Sequence, residues 1–541
     1  MKKVIIILGA GVMQGPAINI AKQMGLYTIV LDGSSNAPCI TLADRFEKID
    51  LKEKEEIESF AKSLQNKTNR LGIMTAGTDF SASVAWVAEK LQLPGIPYET
   101  ALNASDKSRM RSCFDKTGLP SPPFAVISNE SFLIPDYLQF PLVVKPVDNM
   151  GSRGCRRIDS IDEFEEAAKT AIGFSRSGRA IIESFMDGPE FSVDAIYYHG
   201  EITICGLADR HIFFPPYFIE MGHTMPTEID EEKQKALLDT FCKGVKALGL
   251  NAENNIGAAK GDIKLTSKGA MIGEIAARLS GGYMSGWTYP YSSGVLPIKA
   301  AIQAAMGKKP DCLEPVKKWT CAERAFISIP GIVKEIIYTK DVKSIPYVND
   351  LFFRIKEGDK VTFPENNVTK CGNIIASAQE RKTAIEAAQA AACSVLIRLD
   401  PTDIETRNFL ENTLAEAQRR KGDSCFPPDA FQITDKLREV LTQIPDEIIK
   451  QSNGNSVSPC LRVNSSFQLI PFPEFEQSGF TDYMGRTVQE VLDAVRLITG
   501  FSLPNSSENA ENVIRLGRSF WAALIRGSYQ GAVYYIDSLG L

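Results

Sequence analysis

Between Lys260 and Arg278 every charged residue falls in one alternate series of positions, the repeat of a β-strand. Lys260, Asp262 and Lys264 would share one strand face, and Glu274, Ala276 and Arg278 would share a face on its neighbour. Ser267-Lys268-Gly269 reads as the turn between them, so a hairpin centred near Lys268 sets Asp262 opposite Glu274. Two facing carboxylates repel unless a cation lies between them, and Mg²⁺ accepts one or two carboxylates together with phosphate oxygens. Arg278 beside such a cation suits charge developing on a transferring phosphoryl group or an oxyanion. The Gly281-Gly282 loop, with Tyr283, Trp287, Tyr289 and Tyr291 after it, reads as a pocket wall.

Two further segments carry related chemistry. The apolar run 140–146 ends in Lys145, and the loop Gly151-Ser152-Arg153-Gly154 follows. Glycines let backbone N–H groups approach an anion, and Ser and Arg add donors; an ordinary hairpin with solvated Lys and Arg has the same pattern. In 180–191, Glu183 and Glu190 flank Phe185, Met186 and the break Gly188-Pro189. A flat base fits beside Phe185 and Met186 and an acid suits ribose hydroxyls, while a strand–turn–strand with solvated acids fits equally. The loop Gly9–Gly15 follows a strand and precedes a helix, but its G-x-G-x-x-x-G spacing matches a dinucleotide fingerprint loosely and also suits a tight turn.

These residues need elements to hold them. Residues 1–100 alternate strands (4–8, 27–31, 71–75) with helices (16–24, 54–64, 81–91), which implies a parallel sheet. A helix is expected over 105–118, short strands and one helix over 124–200, a long helix over 231–248, the hairpin over 256–279 and a helix over 296–306. Residues 320–400 read as mixed, with an Ala-rich helix over 383–393. Beyond Pro401, helices over 404–420, 487–498 and 509–526 are separated by the connectors 452–459 and 503–509. The domains expected are 1–104, 105–312 with a flap subdomain over about 124–200, 313–400, and an appended region 401–541.

Composition narrows the function classes. At about 150 residues per domain, 541 residues make three or four domains. With 44% apolar and 23% charged residues the composition is globular. Sixty Lys+Arg against 66 Asp+Glu give a net charge of −6, which argues against nucleic acid as a partner. No run approaches the roughly 18 apolar residues that span a bilayer. Eleven scattered cysteines with no C-x-x-C pair exclude a disulfide framework or zinc ribbon and fit a reducing cytoplasm. Three histidines leave little for a triad or a His-based zinc site.

Taken in order, these segments resemble the ATP-grasp superfamily over about residues 1–400: an α/β leading domain, Asp106-Lys107-Ser108-Arg109 on a helix, Val143-Val144-Lys145-Pro146, a glycine flap, an acid–hinge–acid segment and a two-carboxylate hairpin ending Glu274-Ile275-Ala276-Ala277-Arg278. The likeness is greatest to carboxylate–amine ligases such as L-amino-acid ligases, and extends to carbamoyl-phosphate-synthase-like and biotin-carboxylase-like members. It implies a multidomain α/β and α+β protein: an ATP-grasp fold with a Rossmann-like leading domain and an appended, mostly helical C-terminal region. It further implies that Lys107 and Lys145 contact ATP phosphates, that Gly151, Ser152, Arg153 and Gly154 close over them, and that Glu183, Phe185 and Met186 line the adenine site, with Glu190 on the ribose. Asp262 and Glu274 would bind Mg²⁺, or Mn²⁺ in its place, with Arg278 and Lys260 at the reacting centre and Gly281, Gly282 and Trp287 at the substrate. Many members carry Asn where this chain has Ala276, which puts a second metal in doubt.

The stretch Phe218-Ile219-Glu220-Met221-Gly222-His223-Thr224-Met225-Pro226 resembles F-x-E-x-x-H-x-x-P of amino-acid ligases. Glu220 would bind an α-ammonium and His223 would assist proton removal, against a reading as a structural loop; His199 and His211 read as structural. The activity implied is amide formation through an acyl phosphate, with small-molecule carboxylate and amine partners and a homo-oligomer, a dimer, as the assembly. A bicarbonate-activating enzyme and a non-catalytic ATP-binding regulator are the alternatives.

Overall fold

The computed structural model describes residues 2–129, 132–411, 435–444, 449–451, 468–469, 478–500, 513–515 and 517–540. The expected connectors at 452–459 and 503–509, and the parts 412–420 and 509–512 of two expected helices, lie outside the described residues. The chain divides into two compact units. The first comprises 1–212, 222–323 and 375–385, and the second 213–221, 324–374 and 386–541.

The first unit opens with a parallel sheet of β1 (Lys3–Leu8), β2 (Tyr27–Asp32), β3 (Arg45–Lys48) and β4 (Arg70–Thr75) in the order β3-β2-β1-β4. The near-continuous apolar run of β1 follows from burial on both faces, as a parallel sheet covered by helices requires. A second, antiparallel sheet is ordered β5-β8-β6-β7, from β5 (Phe124–Ser128), β6 (Leu142–Pro146), β7 (Arg156–Ile158) and β8 (Arg179–Ser184). Helix Phe164–Phe174 covers it, with Ala167, Ala168 and Ala171 buried in its core.

The central sheet starts β13-β12-β9-β10-β11-β14, built from β9 (Glu190–Tyr198), β10 (Glu201–Phe213), β11 (Ile219–Met225), β12 (Ile256–Thr266), β13 (Gly269–Ala276) and β14 (Thr320–Phe326). Its two faces differ as period two dictates. Phe191, Val193, Ile263 and Ile272 are buried with Leu237 and Phe241 of helix Glu231–Ala247. The opposite face of β9 and β12 carries Glu190, Ser192 and Asp194 and, across from them in register, Lys264, Asp262 and Lys260.

Segments 201–213, for which the sequence suggests no element, and 219–225, where a structural loop is one reading, are strands. Their interspersed Asp, Arg, His and Glu hide the alternation that marks a half-buried strand. In the second unit, Gly331–Tyr338 pairs antiparallel with Val395–Leu399 and Lys360–Val361. Helix Val488–Thr499 has the capping box Thr487/Glu490 and ends at left-handed Gly500. The last helix runs Arg518–Ser538, later than expected. Val513 instead belongs to a short strand, Val513–Arg515, and extended Gly517 is the N-cap. Phe520, Trp521 and Leu524 are core residues, packed in one cluster with Val491, Leu492 and Val495. Among the described residues, no helix is long and apolar enough to cross a membrane.

Candidate active site

Register alone assembles most of the site. Across β12 and β13, Asp262 pairs with Glu274 and Lys260 with Ala276, with an irregularity after Asp262. Across β9 and β10, Glu190 pairs with Arg210. One polar face of four strands therefore presents Glu274, then Lys260, Asp262 and Lys264, then Glu190 and Asp194, then Arg210. The strands meet at the turn Ser267-Lys268, where Thr266 Oγ1 donates to the Gly269 carbonyl at 2.8 Å.

Lys107 is brought to this face by helix Lys107–Thr117. Asp106 caps that helix, accepting from the Ser108 and Arg109 N–H groups at 2.8 and 3.1 Å. A cation in the first turn opposes the helix dipole, and here the buried ammonium is satisfied from outside the helix. It lies 3.5 Å from Glu274 Oε1 and donates to the Asn149 carbonyl at 2.8 Å. Burial alone would lower Lys107, but Glu274 and Asp79 outweigh it and hold the ammonium above the ordinary lysine range. Burial would likewise raise Glu274, yet Lys107, Lys260, Lys145 and Arg278 together hold its carboxyl down at about 2. It is an ionised acid over the whole working pH range.

On the antiparallel sheet, Lys145 pairs with Ile181 and Val143 with Glu183, so Lys145 and Glu183 are diagonal neighbours on one face. Their ion pair is 2.6 Å, and Arg111, one helical turn after Lys107, closes a triad at 2.8 Å from Glu183. The flap follows directly. Gly151, Ser152 and Gly154 all have positive φ, and Arg153 Nε donates to the Met150 carbonyl at 3.0 Å. A Cβ on Gly154 would lie 2.9 Å from the Phe174 ring.

In the hinge, Phe185 has Arg157 and Lys264 over its ring at 4.6 and 5.3 Å, and the Met186 carbonyl accepts from Lys264 at 3.1 Å. Gly188 takes φ +78, and a Cβ there would sit 2.1 Å from the Leu265 carbonyl oxygen. Gly188→Ala is therefore expected to force hinge and hairpin apart. It should destabilise the first unit by about 1–3 kcal/mol, read as a lowered denaturation midpoint, and weaken Mg·ADP binding in the same preparation.

Among the acids, Asp262 lies 2.8 Å from Arg210 and is also bonded by Lys260, and Arg210 bonds Glu190 as well. Asp194 is buried and accepts from the Ser280 N–H at 2.9 Å and from its hydroxyl. Burial pushes it up to about 6 against those bonds and the charges of Lys260 and Arg278. Ser280 opens the loop Gly281-Gly282, where a Cβ on Gly281 would meet the Gly77 carbonyl at 3.2 Å. Tyr283 (φ +67) is buried, Trp287 stacks edge-on against it at 5.5 Å, and Tyr289 receives the Asp194 N–H at 3.1 Å. Arg278 is 8% exposed, and Nη1 donates to the Leu279 carbonyl at 3.2 Å.

His223 is fully buried, its Nδ1 3.2 Å from Glu323 Oε2. Glu220 belongs to the second unit, where its N–H donates to Asn367 at 2.7 Å and its carbonyl accepts from Lys370 at 2.5 Å; it is not among the residues gathered in the first unit. His211 bonds Thr224 at 2.9 Å and His199 the Glu253 carbonyl at 2.9 Å, both structural contacts.

Sequence reasoning passed over Arg111, Arg210, Glu323 and Asp79. Arg111 was signalled by its i,i+4 spacing from Lys107. Asp79 lies just beyond the carboxyl end of β4, the edge where α/β sheets bind ligands. Burial raises Asp79 while the charges of Arg278, Glu274, Lys107 and Arg176 surround it. Arg210 and Glu323 carried no local signal.

Among the described residues there is no cluster of three or more His, Cys, Asp or Glu able to hold a metal unaided. The paired Asp262 and Glu274 fit a divalent ion that takes its remaining ligands from phosphate and water.

A family described as ATP-grasp domain matches residues 138–286, and one described as L-amino acid ligase C-terminal domain 2 matches residues 325–400. An uncharacterized protein, y4rH, of Sinorhizobium fredii is 22% identical over 74% of this chain and 84% of its own length. A D-alanine--D-alanine ligase B of Pseudomonas putida is 27% identical over 30% of this chain, which spans 53% of that ligase. A solved L-amino acid ligase from Bacillus licheniformis aligns with a TM-score of 0.63 and 23% identity, over 74% of this chain and 100% of that one, a likeness of fold. The lysines, flap, hinge and paired acids stand in the order that the sequence led us to expect, and the chain carries an ATP-grasp domain over residues 138–286 followed by an L-amino acid ligase C-terminal domain over residues 325–400.

Proposed function

We propose that the protein is an ATP-dependent carboxylate–amine ligase acting on amino acids or similar small molecules. The observation that carries this reading is the pairing of Asp262 with Glu274 inside a ring of cations, Lys107, Lys145, Lys260 and Arg278. Such a face suits a polyphosphate whose charge moves during transfer.

In this reading Lys107 and Lys145 hold the phosphates of ATP, Glu183, Phe185 and Met186 line the base, and Glu190 takes the ribose. Mg²⁺ or Mn²⁺, held by Asp262 and Glu274, would neutralise charge on the phosphoryl group. A substrate carboxylate oxygen forms the new bond to the γ-phosphorus as the bond to the ADP oxygen breaks. An amine then attacks the acyl carbon and phosphate leaves carrying the amine's proton, giving an amide, ADP and phosphate. Arg278 and Lys260 offset charge at both stages, and the flap Gly151–Gly154 keeps water from the acyl phosphate.

Gly281, Gly282 and Trp287 shape the acceptor side. His223, sealed against Glu323, serves as a positioning residue that ties β11 to β14. A cytoplasmic location accords with the scattered, unpaired spacing of the cysteines.

The test is a matrix of carboxylates and amines scored for ATP-dependent phosphate release. Release that needs both an acid and an amine is expected. Release driven by bicarbonate alone, or tight ATP binding with no turnover in any mixture, overturns the reading.

A further inference from the structure

Arg210 stands among the acids of the site with no role in the reaction proposed above. It lies on β10, in register with Glu190 of β9. One of its nitrogens, Nη1, bonds Glu190 Oε1 and lies 2.8 Å from Asp262 Oδ1. A single cation therefore bridges the acid read as holding the ribose and an acid read as holding the divalent ion. The pair is not a loose surface contact. The Arg210 side chain is 10% exposed, and the strand beneath it is pinned. The next residue back, Asp209, belongs to the opposite face by strand period. It accepts from Thr227 Oγ1 and from Arg381 Nη2, each at 2.5 Å.

The consequence falls on the oxygens of Asp262. Oδ1 accepts from Arg210, and from Ser192 Oγ at 3.3 Å, while Oδ2 accepts from Lys260. Both oxygens already face a cation. A small divalent ion needs an oxygen directed at it from about 2.1 Å, and a guanidinium at the same oxygen repels it. Lys260 has further work at its place, since it stands opposite Asp194 and its charge helps to keep Glu274 ionised. The other partner of Arg210 is Glu190, the acid that a nucleotide would engage through its ribose. We infer that Arg210 holds Asp262 closed to a free divalent ion, so that the ion enters with a nucleotide, whose phosphates give the guanidinium another partner. Arg210 is then a positioning residue that selects the metal–nucleotide complex over the bare ion. This inference rests on the ligase reading for two assignments, Asp262 to the metal and Glu190 to the ribose.

The experiment titrates Mn²⁺ into the full chain without nucleotide and reads the loss of the free-ion signal by electron paramagnetic resonance. Arg210→Met should bind Mn²⁺ at least about tenfold more tightly than the wild type, the weight of one hydrogen bond to a charged group. Removing any nearby cation favours a divalent ion through space, so Lys264→Met is the comparison. Lys264 shares the face and lies 4.0 Å from Glu190, but its ammonium bonds the Met186 carbonyl at 3.1 Å. The gain in Arg210→Met should exceed that in Lys264→Met by at least about threefold, and Asp262→Asn placed in Arg210→Met should erase it. No gain in Arg210→Met, an equal gain in Lys264→Met, or a gain that survives Asp262→Asn overturns the inference. Denaturation midpoints certify the folding of each variant, and Arg210→Gln carries the same test if the methionine variant does not fold. Binding of Mn·ADP to the wild type separates the two readings. If Asp262→Asn leaves that binding unchanged, the metal assignment and this inference fall together. If Asp262→Asn abolishes it and phosphate is released but Arg210→Met shows no gain, this inference falls alone. A gain in a chain that never releases phosphate overturns the ligase reading and leaves the role of Arg210 standing.

Discussion

Glu274→Gln should lower ATP-dependent phosphate release by about 10²- to 10³-fold while leaving the fold intact. The substitution keeps the shape of the side chain and removes its charge. In the native site that charge is held ionised by Lys107, Lys260, Lys145 and Arg278, although burial opposes it. An amide offers a divalent ion a neutral oxygen and leaves Lys107, 3.5 Å away, leaning on Asp79 and the Asn149 carbonyl. Charge neutralisation at the transferring phosphoryl group should fail at two points together, the metal and the lysine. Two measurements check this. Phosphate release should collapse, and the Mg²⁺ concentration for half-maximal rate should rise by at least about tenfold, the factor that a loss of roughly 1.4 kcal/mol gives. ADP binding measured without metal should change little. Release within threefold of the wild type would show that the paired acids are a structural hairpin.

That the site could be found in the sequence at all rests on periodicity. Lys260, Asp262, Lys264 and Glu274 keep the two-residue rhythm of a hairpin, and centring it near Lys268 sets Asp262 opposite Glu274; the structure reaches that pairing by a two-residue turn, Thr266 opposite Gly269, and a one-residue irregularity after Asp262 that the pattern does not show. The leading parallel sheet was legible for the same reason, through its apolar runs. What stayed hidden depends on partners distant in sequence. Arg210 reaches Asp262 only because β10 lies beside β9, a pairing with no local signature. Glu323 meets His223 across 100 residues, and Asp79 joins the site through the close approach of Gly77 to Gly281. The strands 201–213 and 219–225 were obscured by the polar face they present. Chemistry and strand patterning compete for the same alternate positions, and there the chemistry wins.

The second large effect expected is on stability, and it falls on a residue with no assigned contact to substrate. Arg111→Leu should destabilise the first unit by about 3–5 kcal/mol. Arg111 is fully buried, and its guanidinium binds Glu183 at 2.8 Å and the Gly273 carbonyl at 2.7 Å. Without it Glu183, 2% exposed, keeps only Lys145. Burial would raise Glu183, but Arg111 and Lys145 outweigh burial and hold it below the ordinary carboxylate range. A carboxyl lowered on folding adds stability that is present above its unfolded pKa, about 4.3, and is lost as pH falls through the lower folded value. The deficit of Arg111→Leu should therefore be full at neutral pH and shrink as the wild type is acidified below about pH 4. Chemical denaturation of both chains at several pH values measures it. Arg111→Leu with Glu183→Leu should recover part of the loss, because the double variant buries no unpaired carboxylate; strict additivity of the two single losses would refute the pairing. The same bonds join Lys107 to Glu274, since Arg111 shares a helix with the lysine and grips the strand residue that precedes the acid. A variant rescued in stability by the second leucine should still turn over slowly, its lysine and acid no longer held at one distance.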